Sequence, residues 1–188
     1  MAFVVIYDAC VLYPAPVRDL LLRIALAGVV GARWSDEILD ECFRSIAADR
    51  PDISPNALTR TRELMCTAVP DCLVTNYDGL ADSLVLPDPN DRHVVAAAIR
   101  SNAQVIVTFN LKNFPDNVLE PFGIEAKHPD DFVLDAIGIA PGTIARVVSQ
   151  QAAALKSPPV SLADMLDRLR ASGLEQSVAQ LRLEFGGA

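Results

Sequence analysis

Oxygen-bearing side chains stand where two predicted core strands end. Asp8 follows Phe3 to Tyr7, an unbroken apolar run that indicates a strand buried on both faces of a parallel sheet. Thr108 and Asn110 close a second such run, which begins at Val105. Because open α/β sheets bind ligands outside the carboxyl ends of their strands, we expect these side chains to share one sheet edge. Asp8 as a loop cap and Asn110 as a turn residue are the structural alternatives.

Asp91 lies in a predicted helix that opens at Asp88 and runs to about Ser101. At helical spacing, Asp91 falls in the middle of the apolar face, which is formed by Val94, Val95, Ala98 and Ile99. A carboxylate aimed at the core must be paired, hydrogen-bonded or bound to a metal, since its burial alone is very costly. The alternative is a capping box with Asp88 as N-cap and Asp91 at N3, and both roles can coexist.

Glu41 is the third acid, on a helix that Ser35 caps and that runs from about Asp36 to Ala48. It lies just beside the apolar stripe of this helix, which is Ile38, Leu39, Cys42, Phe43 and Ile46. Asp36 and Glu37 suit the first turn through the helix dipole. Glu41 lies further along the helix and has no such explanation, although ordinary surface charge remains an alternative for it.

Asp8, Glu41, Asp91 and Asn110 together offer hard oxygen ligands without histidine or cysteine, which selects Mg²⁺ or Mn²⁺. Two carboxylates about 4 Å apart repel each other by roughly 4 kcal/mol at an effective dielectric constant near 20. Three converging acids would therefore bind a proton unless a cation joined them. A divalent ion removes that penalty, activates a water and stabilises a phosphoryl group during in-line hydrolysis.

The elements that position these residues alternate between strand and helix, which predicts an α/β sandwich over about residues 1–135. Further helices are predicted at 16–28 and 55–69, with weaker strands at 29–34, 73–75 and 123–126. From Pro141 three amphipathic helices follow, so residues 136–188 read as an all-helical extension.

Composition excludes several classes of protein. With 188 residues, 51% of them hydrophobic, the chain can bury a core, and no apolar run approaches the roughly 20 residues of a membrane span, so we expect a cytoplasmic protein. The net charge of −8 argues against non-specific coating of nucleic acid. Residues 1–135 carry 20 acids and 11 bases, whereas residues 136–188 carry 4 acids and 5 bases, so the surplus lies entirely in the first part.

Motifs for other chemistries are missing from the sequence. Four cysteines without a C-x-x-C pair, and only His93 and His128, indicate neither zinc nor a disulfide framework. His93 is predicted to project opposite the apolar face of its helix. Phosphate-binding and dinucleotide-binding glycine motifs and a G-x-S-x-G elbow do not occur. A haloacid-dehalogenase-like phosphatase would need a second acid where Cys10 stands.

The motifs resemble, in order and spacing, the PIN domain of VapC-type ribonuclease toxins over about residues 1–135. The matching segments are Val5 to Leu12, Trp34 to Glu41, Leu86 to Val94 and Val107 to Pro115. The resemblance implies a three-layer α/β/α sandwich with a mainly parallel sheet and a Mg²⁺- or Mn²⁺-dependent endoribonuclease, the toxin of a toxin–antitoxin pair.

Residue by residue, the resemblance implies that Asp8, Glu41 and Asp91 are catalytic metal ligands and that Thr108 and Asp88 support them. Asn110 stands where many members have a fourth acid, which lowers the charge of the site by one and puts a second metal in doubt.

A PIN-like protein that has lost catalysis, and that acts through its surface or helical tail, is the rival hypothesis. The intact acids count against it. For RNA, Arg18, Arg92 and Lys112 lie beside the motifs and are candidate phosphate contacts, with simple solvation as the alternative. The tail has three candidate roles, which are packing on its own core, binding an antitoxin and supporting a homodimer.

Overall fold

A four-stranded parallel sheet forms the centre of the computed structural model, which describes residues 3–186. The strands are β1 (Val4–Tyr7), β2 (Gly31–Arg33), β3 (Val105–Val107) and β4 (Glu125–Lys127). Their order across the sheet is β2-β1-β3-β4, and every neighbouring pair is parallel. The central β1 and β3 contain the apolar runs found in the sequence. Their carboxyl ends, which carry the candidate residues, therefore meet at one edge as predicted.

Helices alternate with the strands and continue beyond them. They are α1 (Ala9–Leu12), α2 (Ala15–Leu26), α3 (Asp36–Asp49), α4 (Pro55–Ala68), α5 (Asp78–Ala81), α6 (Arg92–Ser101), α7 (Asp116–Leu119), α8 (Pro129–Ile139), α9 (Pro141–Ala154), α10 (Leu162–Ala171) and α11 (Glu175–Gly186). Short 3₁₀ helices span Pro89–Asp91, Leu111–Asn113 and Glu120–Phe122. The predicted α/β sandwich with a helical C-terminal region is confirmed. Within residues 3–186, no helix has the length and apolarity that crossing a bilayer requires.

The edge of the sheet that carries the acids is fixed by local contacts. The Asp8 N–H donates to the Val107 carbonyl at 3.1 Å, which ties the end of β1 to the end of β3. At the start of α3, Ser35 is the N-cap, and its hydroxyl accepts from the Ile38 N–H at 3.2 Å. Trp34 is fully buried just before that cap, with its ring stacked 6.4 Å from the Tyr7 ring. The weak strand predicted at 73–75 is reduced to a single bridge between Trp34 and Leu73.

The C-terminal helices pack against the sheet-containing part. Helices α9 and α10 contact α2, and α11 contacts α8. The Gln151 side chain donates to the Pro16 carbonyl at 2.8 Å. The buried Asp130 carboxylate accepts from the backbone N–H groups of Gln176 and Ser177, each at 2.8 Å, and so holds the start of α11. The predicted boundary between residues 135 and 136 falls inside α8, and the division into two domains stays a prediction.

Candidate active site

Asp8 is the most buried of the candidate acids, with 4% of its surface exposed. One carboxylate oxygen accepts from the Ala9 N–H at 2.7 Å. The other accepts from the Thr108 hydroxyl at 2.7 Å and from the Cys10 thiol at 3.1 Å. Burial raises the pKa of Asp8, these three donors lower it in part, and the charge of Glu41 raises it further. The side chain is therefore fixed in direction and destabilised as an anion, a state that a cation would relieve.

The loop after β3 is joined to the first motif through Cys10. Its sulfur accepts from the Phe109 N–H at 3.2 Å and lies 3.3 Å from the Thr108 hydroxyl oxygen. That hydroxyl also accepts from the Asn110 N–H at 3.0 Å. The Asn110 side chain is exposed and forms no hydrogen bond with any residue in 3–186. The hydrogen bond from Thr108 to Asp8 is consistent with the predicted supporting role of Thr108. The catalytic role of Asn110 stays a prediction.

Asp91 ends the Pro89–Asp91 helix, directly before α6, and its side chain is half-buried. It accepts from the Asn113 side-chain amide at 2.8 Å. Burial raises the pKa of Asp91, the Asn113 hydrogen bond lowers it, and the charges of Asp8, Asp88 and Glu41 raise it. The carboxylate therefore lies within electrostatic reach of the other acids.

The predicted capping box is half right. Asp88 is the N-cap, but its carboxylate accepts from the Asn90 N–H at 2.9 Å because the first turn is a tight 3₁₀ helix. Asp91 makes no capping hydrogen bond, and its carboxylate turns to Asn113 instead.

Glu41 comes from α3, and its side chain is 48% exposed. One carboxylate oxygen lies 3.5 Å from Nε2 of His93, and His93 Nδ1 lies 3.9 Å from a carboxylate oxygen of Glu37. Burial lowers the pKa of His93, but the hydrogen bond that it donates to Glu41 and the charges of both glutamates outweigh this effect, so the pKa is raised. His93 was predicted to project opposite the apolar face of its helix, and α3 packs against α6 there, so that His93 is only 7% exposed.

The donor set fits a hard divalent cation in its chemistry, because it offers carboxylate oxygens, and neighbouring negative charges contribute to the raised pKa of Asp8 and of Asp91. As the side chains stand, no group of three or more His, Cys, Asp or Glu residues within 3–186 is close enough together to hold an ion. The role of Asp8, Glu41 and Asp91 as metal ligands therefore stays a prediction.

The three predicted RNA contacts occupy different surroundings. Arg18 donates to the carbonyl oxygens of Leu12 and Tyr13, at 2.7 and 3.2 Å, and lines a groove between α2, α4 and the C-terminal helices. Arg92 lines the cleft that contains Glu41. Lys112 is exposed in the short helix after β3. Only Arg92 shares a cavity with a candidate acid, and contact with RNA stays a prediction for all three residues.

Sequence reasoning missed Cys10, Asn113 and His93 as members of the site. Cys10 and Asn113 both lie inside the motif segments, but nothing in their types indicated a partner. Besides its neighbour Asp8, Cys10 contacts Thr108, which lies 98 positions away, and Asn113 contacts Asp91, which lies 22 positions away.

The fold is that of the PIN domain. The sequence model of that family matches residues 4–112, more than half of the chain, and the protein belongs to the PIN domain family. A second model, described as the VapC50 C-terminal domain, matches residues 129–183.

Among curated proteins, one relative is "Putative ribonuclease VapC50" from Mycobacterium tuberculosis (strain ATCC 25618 / H37Rv). The two sequences are 41% identical over 106 residues, which cover 55% of this chain and 63% of the relative. The match thus spans less than two thirds of that relative's length. No solved structure matches the chain significantly.

Proposed function

We propose that this protein is a Mg²⁺- or Mn²⁺-dependent endoribonuclease. The observation that carries the proposal is the Asp8 carboxylate, which is 4% exposed at the carboxyl end of a central strand of a PIN-domain sheet and is held there by three hydrogen-bond donors. The similarity to a protein named as a ribonuclease supports it. An acid that is held buried against repulsion has a clear use in binding a cation and little use in a fold that has lost catalysis.

Neighbouring groups orient two of the acids and add charge beside one of them. Thr108, Cys10 and the Ala9 amide hold the Asp8 carboxylate in one direction with three hydrogen bonds. Asn113 orients Asp91. Asp88 adds negative charge beside Asp91.

Glu41 is largely exposed and is the acid best placed to reach an incoming substrate. A bound divalent ion would be held by Asp8, Glu41 and Asp91 and would supply an activated water and charge stabilisation at the phosphate. Asn110 would add a neutral oxygen beside them.

The test is cleavage of mixed single-stranded RNA by the full chain with Mg²⁺, Mn²⁺ or EDTA. Loss of a residue that only orients a metal ligand lowers activity by about 10–100-fold. Loss of a ligand itself should lower the rate of RNA cleavage by more than that, and we expect this for Asp8→Asn, Glu41→Gln and Asp91→Asn. Glu63→Gln, an exposed acid on α4, is the matched control and should cut like wild type. Wild-type rates in Asp8→Asn and Asp91→Asn, or no cleavage with any divalent ion, would refute the nuclease and favour the inactive binding protein.

We also propose that the protein acts as a cytoplasmic toxin restrained by a protein antitoxin. The match of residues 129–183 to the VapC50 C-terminal domain supports this. Expression of the chain should arrest growth, Asp91→Asn should not, and the product of an adjacent small reading frame should relieve the arrest and co-purify. Size-exclusion chromatography of the free chain tests the proposed homodimer.

A further inference from the structure

An open cleft of about 730 Å³ lies beside the acids, between α3, the start of α6 and the segment around α5. Its lining includes four acids, two arginines and one histidine: Glu37, Glu41, Asp78, Asp82, Arg44, Arg92 and His93. The volume falls within the roughly 300–1,000 Å³ typical of small-ligand sites. Glu41 lines this cleft and is also one of the proposed metal ligands. A ligand that fills the cleft would therefore extend to the proposed reaction centre.

Two guanidinium groups in the cleft form no ion pair with the described residues. Neither Arg44 nor Arg92 forms an ion pair with any residue of 3–186, although carboxylates line the same cleft. By contrast, Arg62 is paired with both Asp36 and Asp40 of α3. Glu37, Glu41 and Arg44 follow one another at helical spacing, so α3 presents both signs of charge along the cleft.

Two buried nitrogen atoms at the wall of this cleft have no hydrogen-bond partner within the described chain. They are Nε of Arg92 and Nδ1 of His93. The His93 side chain is more than nine-tenths buried, and the nearest carboxylate oxygen of Glu37, at 3.9 Å, is too far for a hydrogen bond. Unsatisfied buried polar atoms are costly and rare, so two on consecutive residues support a hydrogen-bond partner from outside the chain at this wall, either a ligand or a water.

The mixture of charges selects the kind of ligand. A simple anion would be repelled, because four carboxylates line the cleft against two guanidinium groups. A nucleotide matches both signs, since its phosphate attracts arginine and its base offers N–H donors to a carboxylate. Unpaired RNA exposes those donors, whereas a duplex hides them.

We propose that this cleft binds one unpaired nucleotide of the RNA, next to the phosphodiester at the acids, with Arg44 and Arg92 on its phosphate and Glu37 on its base. The inference rests on the proposed ribonuclease function and extends it to substrate selection. Guanine is the expected base because it places two N–H groups side by side, as a carboxylate requires for a bidentate contact.

Binding without catalysis provides the test. Fluorescence anisotropy in EDTA measures the affinity of the full chain for short uridine oligomers that contain one G, A, C or U at a central position. The guanine oligomer should bind about tenfold tighter than the all-uridine one, and Glu37→Gln should remove that preference. Glu63→Gln is the matched control and should retain it.

The arginine contacts have their own readout. Arg92→Gln and Arg44→Gln should each weaken all four oligomers alike and reduce the salt slope of binding by about 0.7 for a single strand. Arg100→Gln, at the opposite end of α6, should change neither.

The two proposals fail separately. RNA that is cut normally, with base preference and salt slope unchanged by Glu37→Gln and Arg92→Gln, would overturn the nucleotide site alone. Base-selective binding that depends on Glu37, in a protein that cuts nothing, would overturn the nuclease and leave the site standing. Absence of RNA binding by the wild-type chain would overturn the nucleotide site.

Discussion

Replacement of Thr108 by valine removes one hydroxyl from the centre of the site and keeps the shape of the side chain. Thr108 is fully buried and donates to Asp8 at 2.7 Å, while it accepts from the Asn110 N–H at 3.0 Å. A hydrogen bond to a charged group contributes about 1.5–3 kcal/mol, against about 0.5–1.5 kcal/mol for a neutral pair. Thr108→Val should therefore lower the free energy of unfolding by about 1.5–3 kcal/mol while Asp8 is ionised, and by less once Asp8 is protonated.

Urea unfolding of the metal-free protein at an alkaline and an acidic pH, one on each side of the raised Asp8 pKa, measures this difference. Thr108→Ser is the matched control, since it keeps the hydroxyl and loses only a methyl group, so its destabilisation should be equal at the two pH values. An equal loss of stability in Thr108→Val at both pH values would refute the charged hydrogen bond. RNA cleavage by Thr108→Val should fall as well, because Asp8 loses its shortest side-chain donor.

Three further predictions follow from the contacts around the site. Asn113→Ala should slow RNA cleavage by about 10–100-fold because Asp91 loses its orienting amide, whereas the exposed Asn117→Ala should not, as single-turnover rates will show. Gly173→Ala should lower the free energy of unfolding by about 1–3 kcal/mol, since Gly173 has φ of +96° and an added Cβ would lie 3.2 Å from the Phe109 ring. The control is Gly138→Ala, on α8, where an added Cβ meets open space, and it should be neutral or stabilising in the same thermal melts. Burial raises the pKa of Asp8, so its contribution to stability is fully present below the ordinary aspartate pKa and is lost as pH rises through the raised value. Asp8→Asn should therefore melt higher than wild type in EDTA at a pH above the raised Asp8 pKa and lose that advantage at acidic pH.

The fold was predictable because its signals are local. The apolar runs of β1 and β3 are short, continuous and β-branched, so they indicate buried parallel strands without knowledge of their neighbours. Ser35 marks the start of α3 in the same way, because an N-cap hydroxyl bonds a backbone group only three residues away. Asp8 was therefore placed at the sheet edge from its position in the sequence alone.

The remainder of the site depends on which elements meet. A helical wheel gives the direction of His93 relative to α6, but it cannot show that α3 lies on that side and buries the ring against Glu41. The capping box was only half right for a related reason, since it assumes an α-helix from the first turn and the chain forms a 3₁₀ turn at Pro89–Asp91. Arg18 looked free in the sequence, and the carbonyl groups of α1 and Tyr13 hold it in the structure.

Trp34 gives the protein an intrinsic optical probe at the sheet edge. It is the single tryptophan of the sequence, fully buried and stacked on Tyr7. Tyr7 directly precedes Asp8, and Trp34 directly precedes the Ser35 cap of the helix that carries Glu41. The emission of the indole therefore reports on the segment that sets the spacing of two acids, and titrations with divalent ions or urea can be followed at this one place without an attached dye.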